Sequence, residues 1–459
     1  MTARKSLPLL GGLLLAGLGS LSGWWPATAA AQTPMTFRQA VDMVTHRNER
    51  WRAADLSVRR AKENRAKQRG LYWPTVSAVG GYLHLDDELF VDLSPLRGLL
   101  SALNPAVPIP PLRATVLEND PLRASVNASW TVFAGGRIRA ANRAAQAGLE
   151  VADAERSGTR QELTTDLADR YFKRRLAAEV LNVRKQALET LDRHVHDAQH
   201  LLDAGQIPRT GALRARVARA EADRDYKVAL RDVALASAAL RATLGSEEDV
   251  DPVTPLPDAR SLEPRERFAA SAERVNPDLR RLGALQEQSR QGTSAAKAEY
   301  FPAIRLFGQA ELVQKRLNTT TDPKWLVGAL VQWKLFDGFG REHQVAAARL
   351  AEEEVRTRRD GARRDVATLV QSRYDEYVSA VEQYTALQSS LELAEESLRS
   401  EQRAFAEGVG TSLEVVDAEL ALSRIQVGRL NAQYDAVVAL ARLLQASGES
   451  ERLAEYMGQ

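Results

Sequence analysis

The stretch WTVFAGGR occupies residues 130–137, and WKLFDGFGR occupies residues 333–341. Both run Trp, two residues, Phe, one residue, Gly, and both close on Gly-Arg. Neither copy carries a nucleophile beside a base, so the phrase is not doubled for catalysis. Trp130 and Trp333 stand 203 residues apart. At the same offset Gly158 pairs with Gly361, Gly205 with Gly408, Ala215 with Ala418 and Gly245 with Gly448. Upstream the offset is 228: LYWPTV (71–76) matches EYFPAI (299–304), and Asn48 matches Asn276. The 25-residue difference lies between Pro74 and Trp130, an interval holding the Pro-rich LSPLRGLLSALNPAVPIPP (93–111). That segment reads as an enlarged loop. The chain is therefore a tandem duplication, with repeats at 32–245 and 264–448, a linker at 246–263 and a tail at 449–459. Its period is too long for a solenoid.

Each repeat predicts one very long helix. Arg137 to Ala204 and Arg341 to Glu407 contain no proline. Val180, Val183, Ala187, Leu191, Val195, Ala198 and Leu202 step by 3 or 4, as do Val381, Tyr384, Leu387, Leu391, Ala394 and Leu398. At ~1.5 Å per residue, helices over 137–204 and 341–407 would each reach ~100 Å. Shorter helical stretches at 35–71, 210–245, 265–299 and 413–446 suggest two short helices stacked end to end along each long one. The Ala-rich faces favour close packing of many helices.

Four segments alternate with period two, over about 74–85, 122–133, 303–312 and 325–336. In the second, Leu122, Ala124, Val126, Ala128, Trp130 and Val132 share one face, against Arg123, Ser125, Asn127, Ser129 and Thr131. In the third, Ile304, Leu306, Ala310 and Leu312 oppose Arg305, Gln309 and Glu311. Length and dyad pattern match membrane barrel strands, although a half-buried soluble sheet has the same period. Tyr72, Trp73, Phe133, Tyr300, Phe301 and Phe336 gather where strands meet helices, as an interfacial girdle would. With the apolar face on lipid, the polar residues line a lumen. Four strands cannot close a barrel, so a membrane reading demands several copies. Gly135–Gly136 and Gly338–Gly340 supply the backbone freedom at the two strand–helix junctions.

Residues 1–31 read as a secretory signal: Arg4 and Lys5, an apolar run over 7–21, and Ala29 and Ala31 before Gln32. The apolar run is short for an uncleaved anchor. Without Arg4 and Lys5, the 62 basic residues fall to 60, against 60 acidic ones. That balance gives no footprint for nucleic acid. The chain has no cysteine, hence no disulfide. His196 and His200 lie four apart near His194, a weak metal pair that also suits a helix C-terminus. EEE (352–354) and RRDGARRD (358–365) read as solvated helix faces. DVDPVTPLPD (249–258) reads as an extended surface linker. No catalytic constellation, cofactor motif or metal site is expected. A pore-free periplasmic coiled-coil or adaptor protein would explain the signal and the helices, but not four dyad strands at matching places.

The duplication, the W-x-x-F-x-G junctions, the Tyr-aromatic-Pro approaches to the first and third strands, and FAEGVGTSLEVVDAEL (405–420) together resemble the TolC-type outer membrane efflux proteins. The last stretch is similar to that family's tip motif, Gly-x-x-Thr-x-x-Asp-Val-x-x-Ala, at Gly408, Thr411, Val415 and Ala418, with Glu414 in the acidic place. The resemblance implies a homotrimer with a 12-stranded outer-membrane barrel and a long periplasmic α-barrel. Its partners would be outer membrane lipid, a periplasmic adaptor and an inner-membrane pump of RND or ABC type. It implies a constriction formed by Glu414 and Asp417, and helix tips at Gly205, Thr210, Gly408 and Thr411 that contact the adaptor. Some relatives close the tip with an ion pair at the places of Gly211 and Gly410, which here are both glycine.

Overall fold

The computed structural model describes residues 33–96, 102, 113–258, 260–317 and 324–457. The signal peptide and most of the Pro-rich stretch 93–111 lie outside them.

The helices of the two repeats have equal lengths. Helices α1 (Phe37–Arg47) and α2 (Glu49–Arg69) hold 11 and 21 residues. Their long partner α3 (Arg137–Asp203) has 67 residues and α4 (Arg209–Leu244) has 36. The second repeat gives α5 (Arg265–Val275), α6 (Pro277–Lys297), α7 (Gly340–Ala406) and α8 (Ser412–Ser447), with 11, 21, 67 and 36 residues. A last turn, α9, covers Leu453–Tyr456. The break between α1 and α2 falls at Asn48, whose side chain accepts from Arg50 N–H. Asn276 does the same between α5 and α6, accepting from Asp278 and Leu279 N–H. Such caps satisfy donors that a helix start leaves open.

The strands are β1 (Thr33–Met35), β2 (Thr75–Tyr82), β3 (Leu89–Asp92), β4 (Arg113–Ala134), β5 (Val250–Pro252), β6 (Ala303–Leu317) and β7 (Trp325–Gln332). The main sheet is antiparallel, in the order β2-β4-β6-β7. Helices follow the same order. α2 and α4 pack on α3, α3 packs on α6 and α8, and these pack on α7. One layer of paired long and short helices thus continues a four-stranded sheet, with β2, α2 and α4 at one edge and β7 and α7 at the other. Ala215, Ala222, Ala229 and Ala236 are buried along α4 at seven-residue steps, a heptad seam whose small side chains allow close helix approach.

Three expectations change. β4 begins nine residues before Leu122, passing through ENDP (118–121), which has the composition of a turn. There its pairing with β6 shifts register, and Asp120 is held by the Tyr82 hydroxyl and His84 Nδ1, each at 2.7 Å. A fifth strand, β3, pairs on this extension. The linker is not simply a surface segment: β5 pairs in parallel with β1, and Val250 and Thr254 are buried. The Tyr171 hydroxyl donates to Met35 O at 2.6 Å and accepts from Thr254 N at 3.0 Å, beside the buried rings of Phe37 and Phe172. A buried hydroxyl needs such partners, and this one ties the linker and β1 to α3.

Candidate functional surfaces

Pairing sorts the main sheet into two faces. Ser125 lies opposite Glu311, Asn127 opposite Gln309 and Thr131 opposite Arg305. Arg123 Nε meets the Glu311 carboxylate at 3.0 and 3.1 Å, and Gln309 donates to it at 2.8 Å. Phe307 interrupts this polar face opposite Ser129, and Ser125 is buried. On the other face Val126 pairs with Ala310 and with Ala78, and Leu306 pairs with Ala329. Val76, Val327, Val331 and Trp325 are exposed there at 62–75 %. Water gives such a face nothing; hydrocarbon would cover it. Leu312 leaves the alternation because the register shifts beside it.

The junctions repeat one hydrogen bond. Trp130 Nε1 donates to Tyr72 O at 3.0 Å, and Trp333 Nε1 to Tyr300 O at 3.1 Å. The doubled Trp thus ties a strand end to the neighbouring helix-to-strand turn, while Phe133 and Phe336 stay exposed. Left-handed residues are Gly135 and Gly136 in the first copy, and Gly338 and Phe339 in the second. Gly340 instead begins α7 with ordinary backbone, so the freedom assigned to it falls on Phe339. A Cβ on Gly135 would stand 2.4 Å from Ala298 O, whereas Gly338 and Gly136 face open space. Arg341, which the sequence did not mark, is buried: it donates to Lys334 O at 2.8 Å and Leu335 O at 3.1 Å. Its only signal was its place at the end of the repeated phrase.

At the opposite end, Gly205 and Gly408 turn the chain in left-handed backbone. Thr210 lies exposed in the first turn of α4, whose N-cap is Pro208. Thr411 and Glu414 form a capping box: Glu414 Oε2 accepts from Thr411 N at 2.7 Å and Thr411 Oγ1 at 2.9 Å. The Thr411 N–H and hydroxyl hold the Glu414 carboxyl below its usual range, opposite to the effect of repulsion in a carboxylate ring. Asp417 is exposed on the same helix. Behind them lie His194, read in the sequence only as the neighbour of a histidine pair, and two groups that sequence reasoning missed, Ser412 and Glu419. His194 Nε2 is 2.8 Å from Ser412 Oγ, which donates to Gly211 O at 3.2 Å. The two tips are thereby joined at Gly211 without an ion pair. Burial pushes the His194 imidazole down and the Glu419 carboxyl up to about 7, against the lowering influence of Arg193. Glu419 could have been found, since it shares the Val415 and Leu422 face of α8; Ser412 carried no signal. Among the described residues, no group of three or more His, Cys, Asp or Glu could hold a metal.

A duplicated protomer whose open sheet runs on into 67-residue helices defines the class of outer membrane channel folds. The chain belongs to the outer membrane efflux protein family, whose model matches residues 40–246 and 269–449. This is a transport family. The chain is 27 % identical over 251 residues to Protein CyaE of Bordetella pertussis, covering 52 % of each chain. It is 24 % identical over 284 residues to the outer membrane efflux protein BepC of Brucella suis, covering 61 % of each. The alignments thus span between half and two thirds of these curated relatives. In fold it is similar to the open state of the MtrE outer membrane channel of Neisseria gonorrhoeae, with TM-score 0.73, 21 % identity, and coverage of 90 % of this chain and 89 % of that one. It is also similar to the outer membrane protein VceC of Vibrio cholerae, with TM-score 0.71, 16 % identity, and coverage of 90 % and 96 %.

Proposed function

We propose that the protein is the outer-membrane exit duct of a tripartite efflux or type I secretion system, passing cargo passively from the periplasm or an inner-membrane pump to the outside. The observation that carries this is the shared order of strands and helices, with two unpaired edges and an exposed apolar sheet face at one end of helices ~100 Å long. An open edge in hydrocarbon leaves backbone groups unsatisfied, so β7 of one copy meets β2 of the next. The same closure covers Leu350 and Leu393 on α7, and Val217 and Leu235 on α4, all well exposed in the single chain. Three copies give 12 strands, within the range of membrane barrels. The tips around Gly205, Thr210, Gly408 and Thr411 meet a periplasmic adaptor, which couples the duct to a pump of RND or ABC type. Asp417 and Glu414 of the copies converge at the periplasmic constriction.

Density-gradient fractionation followed by planar-bilayer recording tests this reading. Outer-membrane recovery and discrete conductance by purified oligomers are expected. Recovery in soluble or inner-membrane fractions, without conductance, would favour the pore-free adaptor reading.

A further inference from the structure

His196 and His200 stand one turn apart on the exposed face of α3, close to its C-terminal end. Their Nε2 atoms are 2.9 Å apart, with ring centroids at 4.2 Å and planes at 88°. The two rings share one hydrogen bond, the Nε2 of one facing the Nε2 of the other. His194 is not part of this arrangement, because its Nε2 is turned inward to Ser412. Two imidazole nitrogens bound to one ion at ~2.0–2.1 Å lie about 2.9 Å apart when they subtend a right angle, and about 3.3 Å apart at a tetrahedral angle. The 2.9 Å of the hydrogen-bonded pair also matches the right-angle bite of tetragonal and square-planar ions, so an ion can replace the shared proton without the two nitrogens moving apart.

We propose that His196 and His200 chelate a divalent transition-metal ion of the Cu(II) or Ni(II) type through their Nε2 atoms. Both rings bind neutral, each keeping its proton on Nδ1, so the Nε2–H that now bridges the pair moves to Nδ1 as the ion enters. Among the described residues no third side chain completes a metal-binding group with the pair. Asp203, one turn further on, already accepts from Gln199 at 2.7 Å, and Arg216 of α4 holds Gln199 at 2.6 Å. Water fills the open positions, so the ion is exchangeable rather than structural. The order of divalent affinities places Cu(II) above Ni(II), and both above Co(II). The site lies just before the Gly205 turn, on the surface that the export reading assigns to docking, but the chelation itself does not depend on that reading.

The test uses full-length protein without a histidine tag, purified in detergent and titrated calorimetrically with Cu(II) and with Ni(II). Electron paramagnetic resonance of the Cu(II) form provides a second readout. One ion per chain is expected, with two-nitrogen hyperfine structure. Binding should vanish in His196→Ala and in His200→Ala, and persist in His194→Gln. Both deleted rings are exposed, so oligomer state by size exclusion should match wild type. Absence of binding by wild type, or the same stoichiometry in the His196→Ala/His200→Ala variant, would overturn the site; the latter result would move the ion to one of the four remaining histidines, His46, His84, His194 or His343.

Discussion

Asn276 Nδ2 donates to Ala446 O at 2.9 Å, so one side chain both starts α6 and closes the end of α8. Asn48 makes the equivalent bond to Thr243 O at 3.2 Å. The two offsets of the duplication meet in this contact: the asparagines differ by 228 residues and their acceptors by 203. It is the joint at which a short helix is stacked on its partner beside each long one. Asn276→Ala should lower protomer stability by about 1–2 kcal/mol, because it removes a cap and leaves a buried carbonyl without its donor. Asn276→Asp keeps the cap but sets a carboxylate oxygen against the Ala446 carbonyl in a buried site, and should lose at least as much. Denaturant midpoints of the two variants check the ordering.

The sheet faces predict opposite responses to charge. Val126→Arg should cost about 2–4 kcal/mol near a bilayer midplane, and Val331→Arg, two residues from the junction at Trp333, clearly less. Ser129→Arg, on the polar face and exposed, should assemble normally. Ser125 is the wrong control, since it is buried beside Glu311. Equal loss of oligomer from both faces on semi-native gels would contradict the assignment.

Gly135 and Gly338 share left-handed backbone but differ in their surroundings. Gly338→Ala should cost about 1 kcal/mol of backbone strain. Gly135→Ala adds a clash with Ala298 O and should cost clearly more. Thermal midpoints of the two variants give the difference directly; identical shifts would remove the close approach as a cause.

Glu419 makes stability pH-dependent near the tip. Its folded carboxyl titrates at about 7, above its unfolded value, so its contribution is full below the unfolded pKa and is lost as pH rises through about 7. Glu419→Gln should flatten this loss, worth on the order of 3 kcal/mol. His194 acts with the opposite sign: its lowered pKa leaves stability present above the unfolded value and lost as pH falls through the folded one. Unfolding midpoints from pH 4 to 8 should therefore separate Glu419→Gln from His194→Gln by the direction of their effects.

The constriction is tested by conductance. Glu414→Gln keeps the capping box with Thr411, since glutamine serves at that position, so it removes charge without unseating the helix. Paired with Asp417→Asn, it should reduce cation selectivity and trivalent-cation block of the purified oligomer. Unchanged selectivity would take both residues out of the pore.

Much of the architecture is legible in the sequence itself. Two offsets, a proline-free run of helical spacing and four dyad segments determined the duplication, the long helices and the alternating faces, because each is a local periodicity written along the chain. The doubled Trp was visible, but not its bond to Tyr72 O or Tyr300 O, since a hydrogen bond to a carbonyl leaves no residue pattern at the acceptor. Tertiary structure alone decided that β4 runs through a turn-like ENDP: these residues bridge paired stretches ending at Leu117 and starting at Leu122, with Asp120 held by Tyr82 and His84. It decided that Phe339 rather than Gly340 takes the left-handed position, since equal 67-residue helices set the register. It also separated three histidines of one helix into a buried one facing Ser412 and an exposed pair facing each other. Spacing along a helix fixes which side chains share a face; only the neighbouring helices determine which face is covered.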